Sequence, residues 1–401
     1  MLLLSVSILI SKEYLGTSRH FLYDGESYTW SRSIPENTWV FGEKSSWNIE
    51  NIAKHIGEDI EGFDKSPHAM AFNLICENKV KIPWVDSIPA QQFQNILRNL
   101  VDQLWIASKS KYMDYYRNNL VDNRMILESF QRPSVDITKI DKIASDKKSL
   151  KNKEILKFKP KSGDLAPLTR YSFLGSVTGR MTVVEGPNIL TLKKSHRKIF
   201  KSRTKNGSIV QVDISSLEPR IALAICGKSA PEDVYSHVKN KVLSDEVSRA
   251  DAKIAVLSCI YGSNAWSLAK RLPSNIDSHD VISKVKSYFN ISPLSRSLSS
   301  ELEDTGVIKN LYGRPIFSNS SLVNHYLQSS GVDVSFDVFR EILTKMNDSK
   351  EEYFPIYVIH DAIVLDVSER ALEKLKEITL EGIWVEKLKC SFPVKIESIK
   401  E

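Results

Sequence analysis

Asp213 and Asp361 each lie at an end of an apolar run, SIVQVDIS (Ser208–Ser215) and YFPIYVIHDAIVLDV (Tyr353–Val367). A carboxylate in such a run is costly to bury unless it is paired, hydrogen-bonded or bound to a metal. Taken singly, each reads equally well as an Asp capping a turn. Taken together, they could hold two Mg²⁺ ions, because Mg²⁺ needs few protein carboxylates and completes its shell with phosphate and water. The chemistry is then in-line displacement at phosphorus: one ion lowers the pKa of an attacking hydroxyl, and both stabilise the charge that develops.

Between the two aspartates, Arg249, Lys253, Leu257 and Tyr261 recur at i, i+4, i+8 and i+12. At 3.6 residues per turn they form one slowly drifting stripe on a helix face. Its early part is cationic and its later part apolar and aromatic, which suits a triphosphate at one end and a stacked base at the other. An ordinary helix with wet cations and a buried Leu and Tyr has the same pattern. Thr178-Gly179-Arg180 and Gly186-Pro187-Asn188 precede a basic run, KKSHRKIFKSRTK (Lys193–Lys205). Such a run tracks a phosphate backbone with salt-dependent affinity and no sequence choice, or is simply a solvated face.

These groups need elements to hold them. SIVQVDIS is rich in β-branched residues and reads as a strand, followed by a helix with Ser215 or Ser216 as its cap and Pro219 in its first turn. Tyr353–Val367 reads as two strands around His360-Asp361, and Ser244–Leu272 as a long amphipathic helix or a helix pair. Pro89–Glu128 repeats its apolar residues at helical steps. The first sixty residues alternate short apolar runs with turn residues, with a hairpin at Asp24-Gly25, and close in a short helix from Ser46 to Ile60. Lys139–Lys161 is lysine-rich and reads either as a solvated linker or as a basic tip that touches phosphates.

The chain has 401 residues, 42% of them hydrophobic and 26% charged, with a formal charge of +6. That allows two or three packed domains and suits a polyanionic partner without requiring one. Its four cysteines, Cys76, Cys226, Cys259 and Cys390, form no C-x-x-C pair. They speak against a disulfide framework or a zinc site and for a reducing, cytoplasmic setting such as a bacterial host cell. MLLLSVSILI (Met1–Ile10) lacks a basic leader and a small-residue cleavage site, so it reads as a buried strand. No later stretch reaches the ~18 apolar residues of a membrane span, and no membrane partner is expected.

In chain order these segments resemble family A DNA polymerases, the DNA polymerase I class. DISSLEPR (Asp213–Arg220) resembles the family's motif A, RADAKIAVLSCIYG (Arg249–Gly262) its motif B on the fingers helix, and HDA (His360–Ala362) its motif C. TGR (Thr178–Arg180) with Pro187-Asn188, LYGRP (Leu311–Pro315) and NHYLQSSGVD (Asn324–Asp333) are similar to the family's intervening segments. The resemblance spans about Ser172 to Val367 and leaves the first third unassigned. It implies that Asp213 and Asp361 are catalytic and hold two Mg²⁺ ions (Mn²⁺ as substitute) with the Ile214 carbonyl. It implies that Arg249, Lys253, Leu257 and Tyr261 bind the deoxynucleoside triphosphate, with Glu218 as the steric gate against a ribose 2′-hydroxyl. Primer-template DNA is the expected partner of Arg180, Asn188, Lys193, Lys194, Arg197, Arg314, Asn324, Gln328 and His360.

The sequence departs from the family pattern at Ala362, where the family has Glu, and at Leu257 and Ser258, where motif B has an aromatic residue and glycine. Asp59-Ile60-Glu61 has the D-x-E spelling of a proofreading exonuclease, but no Tyr-x-x-x-Asp partner follows it. The implied fold is α/β in the α+β sense, a right hand with an antiparallel-sheet palm and helical fingers and thumb. The expected parts are a small mixed domain over 1–88, a thumb over 89–164, and a palm over 165–401 with fingers inserted at about 221–309. The first part is either an exonuclease remnant or a docking domain for replisome partners. The function implied is DNA-dependent DNA synthesis in phage or mobile-element replication or in repair. The rival readings are a polymerase with relaxed substrate choice (lesion bypass, primer synthesis or reverse transcription) and a non-catalytic DNA-binding subunit.

Overall fold

The structure is a computed structural model, and it describes residues 7–35, 38–42, 48–58, 60, 67–76, 83–145, 150–243 and 247–399. The chain divides into two compact units, Met1–Arg124 and Met125–Glu401.

The first unit is built on a four-stranded sheet of β1 (Ser7–Ile10), β2 (His20–Tyr23), β3 (Tyr28–Ser31) and β4 (Thr38–Phe41), in the order β3-β2-β1-β4. β1 runs antiparallel to β2 and parallel to β4. Its Ile8, Leu9 and Ile10 are fully buried, so Ser7–Ile10 is a core strand; the rest of the apolar run expected as a strand, Met1–Val6, lies outside the described residues. The β2–β3 hairpin turns at Asp24, whose Oδ1 accepts from the backbone N–H groups of Glu26 and Ser27. Helix α1 (Ile49–His55) is capped by Asn48, and α2 (Ala90–Ser108) buries Leu97, Leu100, Val101 and Leu104 along one face. Asp59 and Glu61 of the D-x-E spelling lie outside the described residues.

The second unit carries the sheet that matters for chemistry. Its strands are β5 (Ser208–Ile214), β6 (Tyr353–Ile359), β7 (Ala362–Val367) and β8 (Val394–Ser398), in the order β6-β7-β5-β8 and antiparallel throughout. Ile209, Val210 and Val212 of β5 and all of β7 are buried, which is why both runs read as apolar despite their carboxylates. Helix α3 (Leu217–Ile225) follows β5. Then come α4 (Val234–Lys241), α5 (Arg249–Ile260), the short α6 (Ala265–Ala269), α7 (Ser278–Tyr288), α8 (Ile291–Thr305) and the 28-residue α9 (Leu322–Ser349). The stretch from Ser244 to Leu272 is thus a helix pair in its described part. Ser216 occupies the cap position of α3 with φ +56°, and its side chain makes no capping bond; sequence had pointed to a Ser215 or Ser216 side-chain cap. Lys139–Lys161 is not simply a solvated linker in its described part: Ile140, Ile155 and Phe158 are buried, and Lys159 pairs with Asp141 at 2.7 Å.

Candidate active site

Asp213 is the last-but-one residue of β5, and its Cα partners are Ala362 on β7 and Lys395 on β8. Asp361 lies one residue before that partner, in the two-residue turn that joins β6 to β7. The Ile214 N–H donates to the Asp361 carbonyl at 3.3 Å, which ties the turn to the end of β5. His360 completes the turn with φ +57°, a left-handed conformation uncommon for a residue with a side chain. Burial, followed by the charges of Asp361 and Glu397, pushes the Asp213 carboxyl up to about 6, and burial raises Asp361 as well. Two carboxylates that oppose each other's ionisation and are partly desolvated make a site short of positive charge.

Both face a cavity of about 360 Å³. The sheet contributes Asp213, Ile214, His360 and Asp361 to its wall; α3 contributes Glu218 and α9 Gln328. Arg180 enters from the loop after Gly179, and Lys253, Leu257 and Tyr261 come from α5 and its cap. Residues far apart in sequence therefore converge on one cavity. The Glu218 carboxylate accepts from Arg180 Nη2 at 2.9 Å and from the Tyr261 hydroxyl at 3.2 Å. Burial raises its pKa even against Arg180, and burial pushes the Tyr261 hydroxyl up to about 12.

Helix α5 opens with a capping box in which the Ser248 hydroxyl and the Asp251 side chain satisfy each other's backbone N–H groups. Its stripe of Arg249, Lys253, Leu257 and Tyr261 is real, but only the last three line the cavity. Arg249 lies on Asp233, with Nε 2.7 Å from Oδ2 and Nη2 3.2 Å from Oδ1. The guanidinium holds the Asp233 carboxyl well below the usual carboxylate range. The Tyr235 ring lies under both cations, 5.6 Å from the Arg249 guanidinium and 5.7 Å from Lys253 Nζ.

The expected DNA contacts divide. Arg180, Gln328 and His360 line the cavity, and Asn324 accepts from Gln328 Nε2 at 2.6 Å. Lys193 and Lys194 are exposed, and Lys194 pairs with Glu397 at 3.0 Å. Arg197 donates to Gln211 at 2.9 Å, two residues before Asp213 on β5. The Asn188 side chain accepts from the Leu190 N–H and caps a 3₁₀ turn. Arg314 requires a correction. It is 2% exposed, pairs with Asp333 of α9 at 2.9 Å and lies over the Phe173 ring, so it is an internal strut and presents no face to DNA. Gly179 (φ +74°) is needed above it, because a Cβ there would collide with the Arg314 guanidinium.

Asp233, Tyr235, Lys395 and Glu397 were missed from sequence. The only local signal for the first was an Asp ahead of a helical run; the edge-strand pair Lys395 and Glu397 had only its period-two spacing.

The family described as DNA polymerase family A matches residues 90–400. No curated protein matches the chain. Among solved structures, the POL domain of Pol1 from M. smegmatis, in complex with DNA primer-template and dNTP, superposes with a TM-score of 0.64 at 12% identity. The match covers 98% of this chain and 94% of that one. The α+β architecture is therefore that of a polymerase domain, with the sheet as palm and helical fingers and thumb.

Proposed function

This chain belongs to DNA polymerase family A, a DNA-directed DNA polymerase by that membership, and from this premise we propose that it extends a primer 3′-hydroxyl by a two-metal reaction centred on Asp213 and Asp361. The observation that carries the reading is the pair of part-buried carboxylates on one cavity wall, each disfavoured in its charged form.

The donors fit Mg²⁺, with Mn²⁺ as substitute, because they are hard oxygens: two carboxylates and the Ile214 carbonyl beside them. Among the described residues no group of three His, Cys, Asp or Glu gathers as a ligand set, so substrate phosphates and water would complete the shells. Two bound ions would supply an acidified primer hydroxyl and charge neutralisation at the phosphates. The primer oxygen forms a bond to the α-phosphorus, the bond to the β-phosphate oxygen breaks, pyrophosphate leaves, and the hydroxyl proton passes to water. Lys253 and Arg249 would hold the triphosphate, Leu257 would lie against sugar and base, and Tyr261 would stand near the templating base. Glu218, pinned by Arg180, would fill the space of a 2′-hydroxyl. Most of the rate enhancement in such a site is positioning and electrostatics.

The primer-template DNA and dNTP present in the M. smegmatis complex are the substrates we assign here. The exposed Lys193 and Lys194 would follow the DNA backbone. The first unit, with its own four-stranded sheet, is a candidate docking module for replisome partners. The setting we favour is phage or mobile-element replication, or repair, in a reducing cytoplasm, in keeping with four free cysteines. Primer extension with Mg²⁺ tests the reading: wild type should extend with deoxynucleotides, while Asp213→Ala and Asp361→Ala bind primed DNA but do not extend it. Extension by either variant at the wild-type rate would remove that residue from the metal site.

A further inference from the structure

Asp233 is fixed before any ligand arrives. Its Oδ1 accepts from the backbone N–H groups of Tyr235 and Ser236 at 3.0 and 3.1 Å, and its Oδ2 accepts from the Ser236 hydroxyl at 2.8 Å. It is the N-cap of α4, so the carboxylate is held by a helix terminus and cannot swing freely. Arg249 meets it along one edge, through Nε and Nη2. A guanidinium has five N–H donors in a rigid fork, and this contact uses two of them. Both Nη1 donors and one on Nη2 remain, and one from each nitrogen forms the end edge that matches two oxygens of a phosphate. The Arg249 side chain is 56% exposed, so that edge is open to a ligand. Tyr235, two residues after Asp233, lies under Arg249 and Lys253, which the helix spaces one turn apart on α5.

We propose that Asp233 is a positioning residue for triphosphate binding: it clamps one edge of Arg249 against the start of α4 and thereby presents the other edge to the phosphates of an incoming deoxynucleotide. The proposal rests on the polymerase reading above. A long Arg side chain otherwise loses rotamer freedom when it binds, and an anchor removes that loss in advance. The geometry also has an opposite consequence available to it, in which Asp233 neutralises Arg249 and competes with the phosphates. The two differ in sign.

The test uses the full chain with primer-template DNA. Asp233→Asn keeps a capping oxygen and removes the charge, and Asp233→Ser is a second capping variant should the first fold poorly. The expected result is a KM for deoxynucleotide raised about tenfold with kcat within about twofold, the signature of lost substrate binding, and an unchanged melting temperature. Arg249→Ala should lose at least as much, and Asp233→Asn combined with Arg249→Ala should lose no more than Arg249→Ala alone. A lowered KM in Asp233→Asn would overturn the proposal in favour of competition. Additive losses in the double variant would overturn it by showing that Asp233 does not act through Arg249. Calorimetric titration with inorganic tripolyphosphate and Mg²⁺ keeps the question separate from activity. If wild type fails to extend primers, the polymerase reading falls. Weaker tripolyphosphate binding by Asp233→Asn would still support the clamp, and equal binding would still refute it.

Discussion

Glu218 and Arg180 form a 2.9 Å ion pair on the wall of the cavity that Asp213 and Asp361 face, and the carboxylate is the more buried partner, 14% exposed against 45%. A carboxylate held this way has little freedom to retreat from a substrate. The Tyr261 hydroxyl on its other oxygen removes what remains.

Glu218→Ala should therefore admit ribonucleotides. Single-nucleotide kinetics should show discrimination against the ribose falling by on the order of 10²-fold, the scale on which one hydroxyl is rejected by shape. Arg180→Ala should lower discrimination less, because Tyr261 still holds the gate. Unchanged discrimination in Glu218→Ala would assign the gate to another residue.

The raised carboxyl of Asp213 makes stability depend on pH in a definite direction. Its folded-state pKa, about 6, lies above the ordinary carboxylate value of 3.8. The folded state then binds the proton more tightly, and stability falls as pH rises through that window. In chelator-treated protein, Asp213→Asn should melt higher than wild type at pH 8, by about 2–4 °C, and the difference should vanish near pH 4. Added Mg²⁺ should raise the wild-type melting temperature and leave the variant's where it was. A variant that melts lower at pH 8 would mean the carboxylate already has a stabilising partner.

The side chains of Arg314 and Asp333 are 3% and 4% exposed. Removing one partner of a buried ion pair typically costs ~3–5 kcal/mol, because the other charge is left uncompensated. Denaturant unfolding of Asp333→Ala should show a loss of that order. Arg314→Gln, where it folds, should leave the salt dependence of DNA affinity unchanged. A slope reduced by about one would instead mark a phosphate contact.

What could be read from sequence was the part encoded locally. The apolar runs around Asp213 and Asp361, the cationic start of α5 and the hairpin at Asp24 all survive, because periodicity and turn chemistry act over a few residues. Arg314 was misplaced because its burial depends on Asp333, nineteen residues later on α9, and on the backbone of Gly179, which packs against its guanidinium. Arg249 was assigned a role but not its anchor, since Asp233 sits on another helix. Ser216 looked like a side-chain cap and is instead held in a left-handed conformation, which residue type alone does not specify.

The register of β5 against β7 has one more consequence. Asp213 stands opposite Ala362, the neighbour of Asp361, so the separation of the two carboxylates is governed by the backbone spacing between adjacent strands, about 4.8 Å. No side chain has to be retained to preserve it. The sequence around such a pair can change widely without moving the two carboxylates apart. What it cannot tolerate is a single insertion or deletion inside either strand, which would turn the side chains of that strand to the opposite face of the sheet. The inheritance of this site is thus written in the lengths of two strands more than in the letters that fill them.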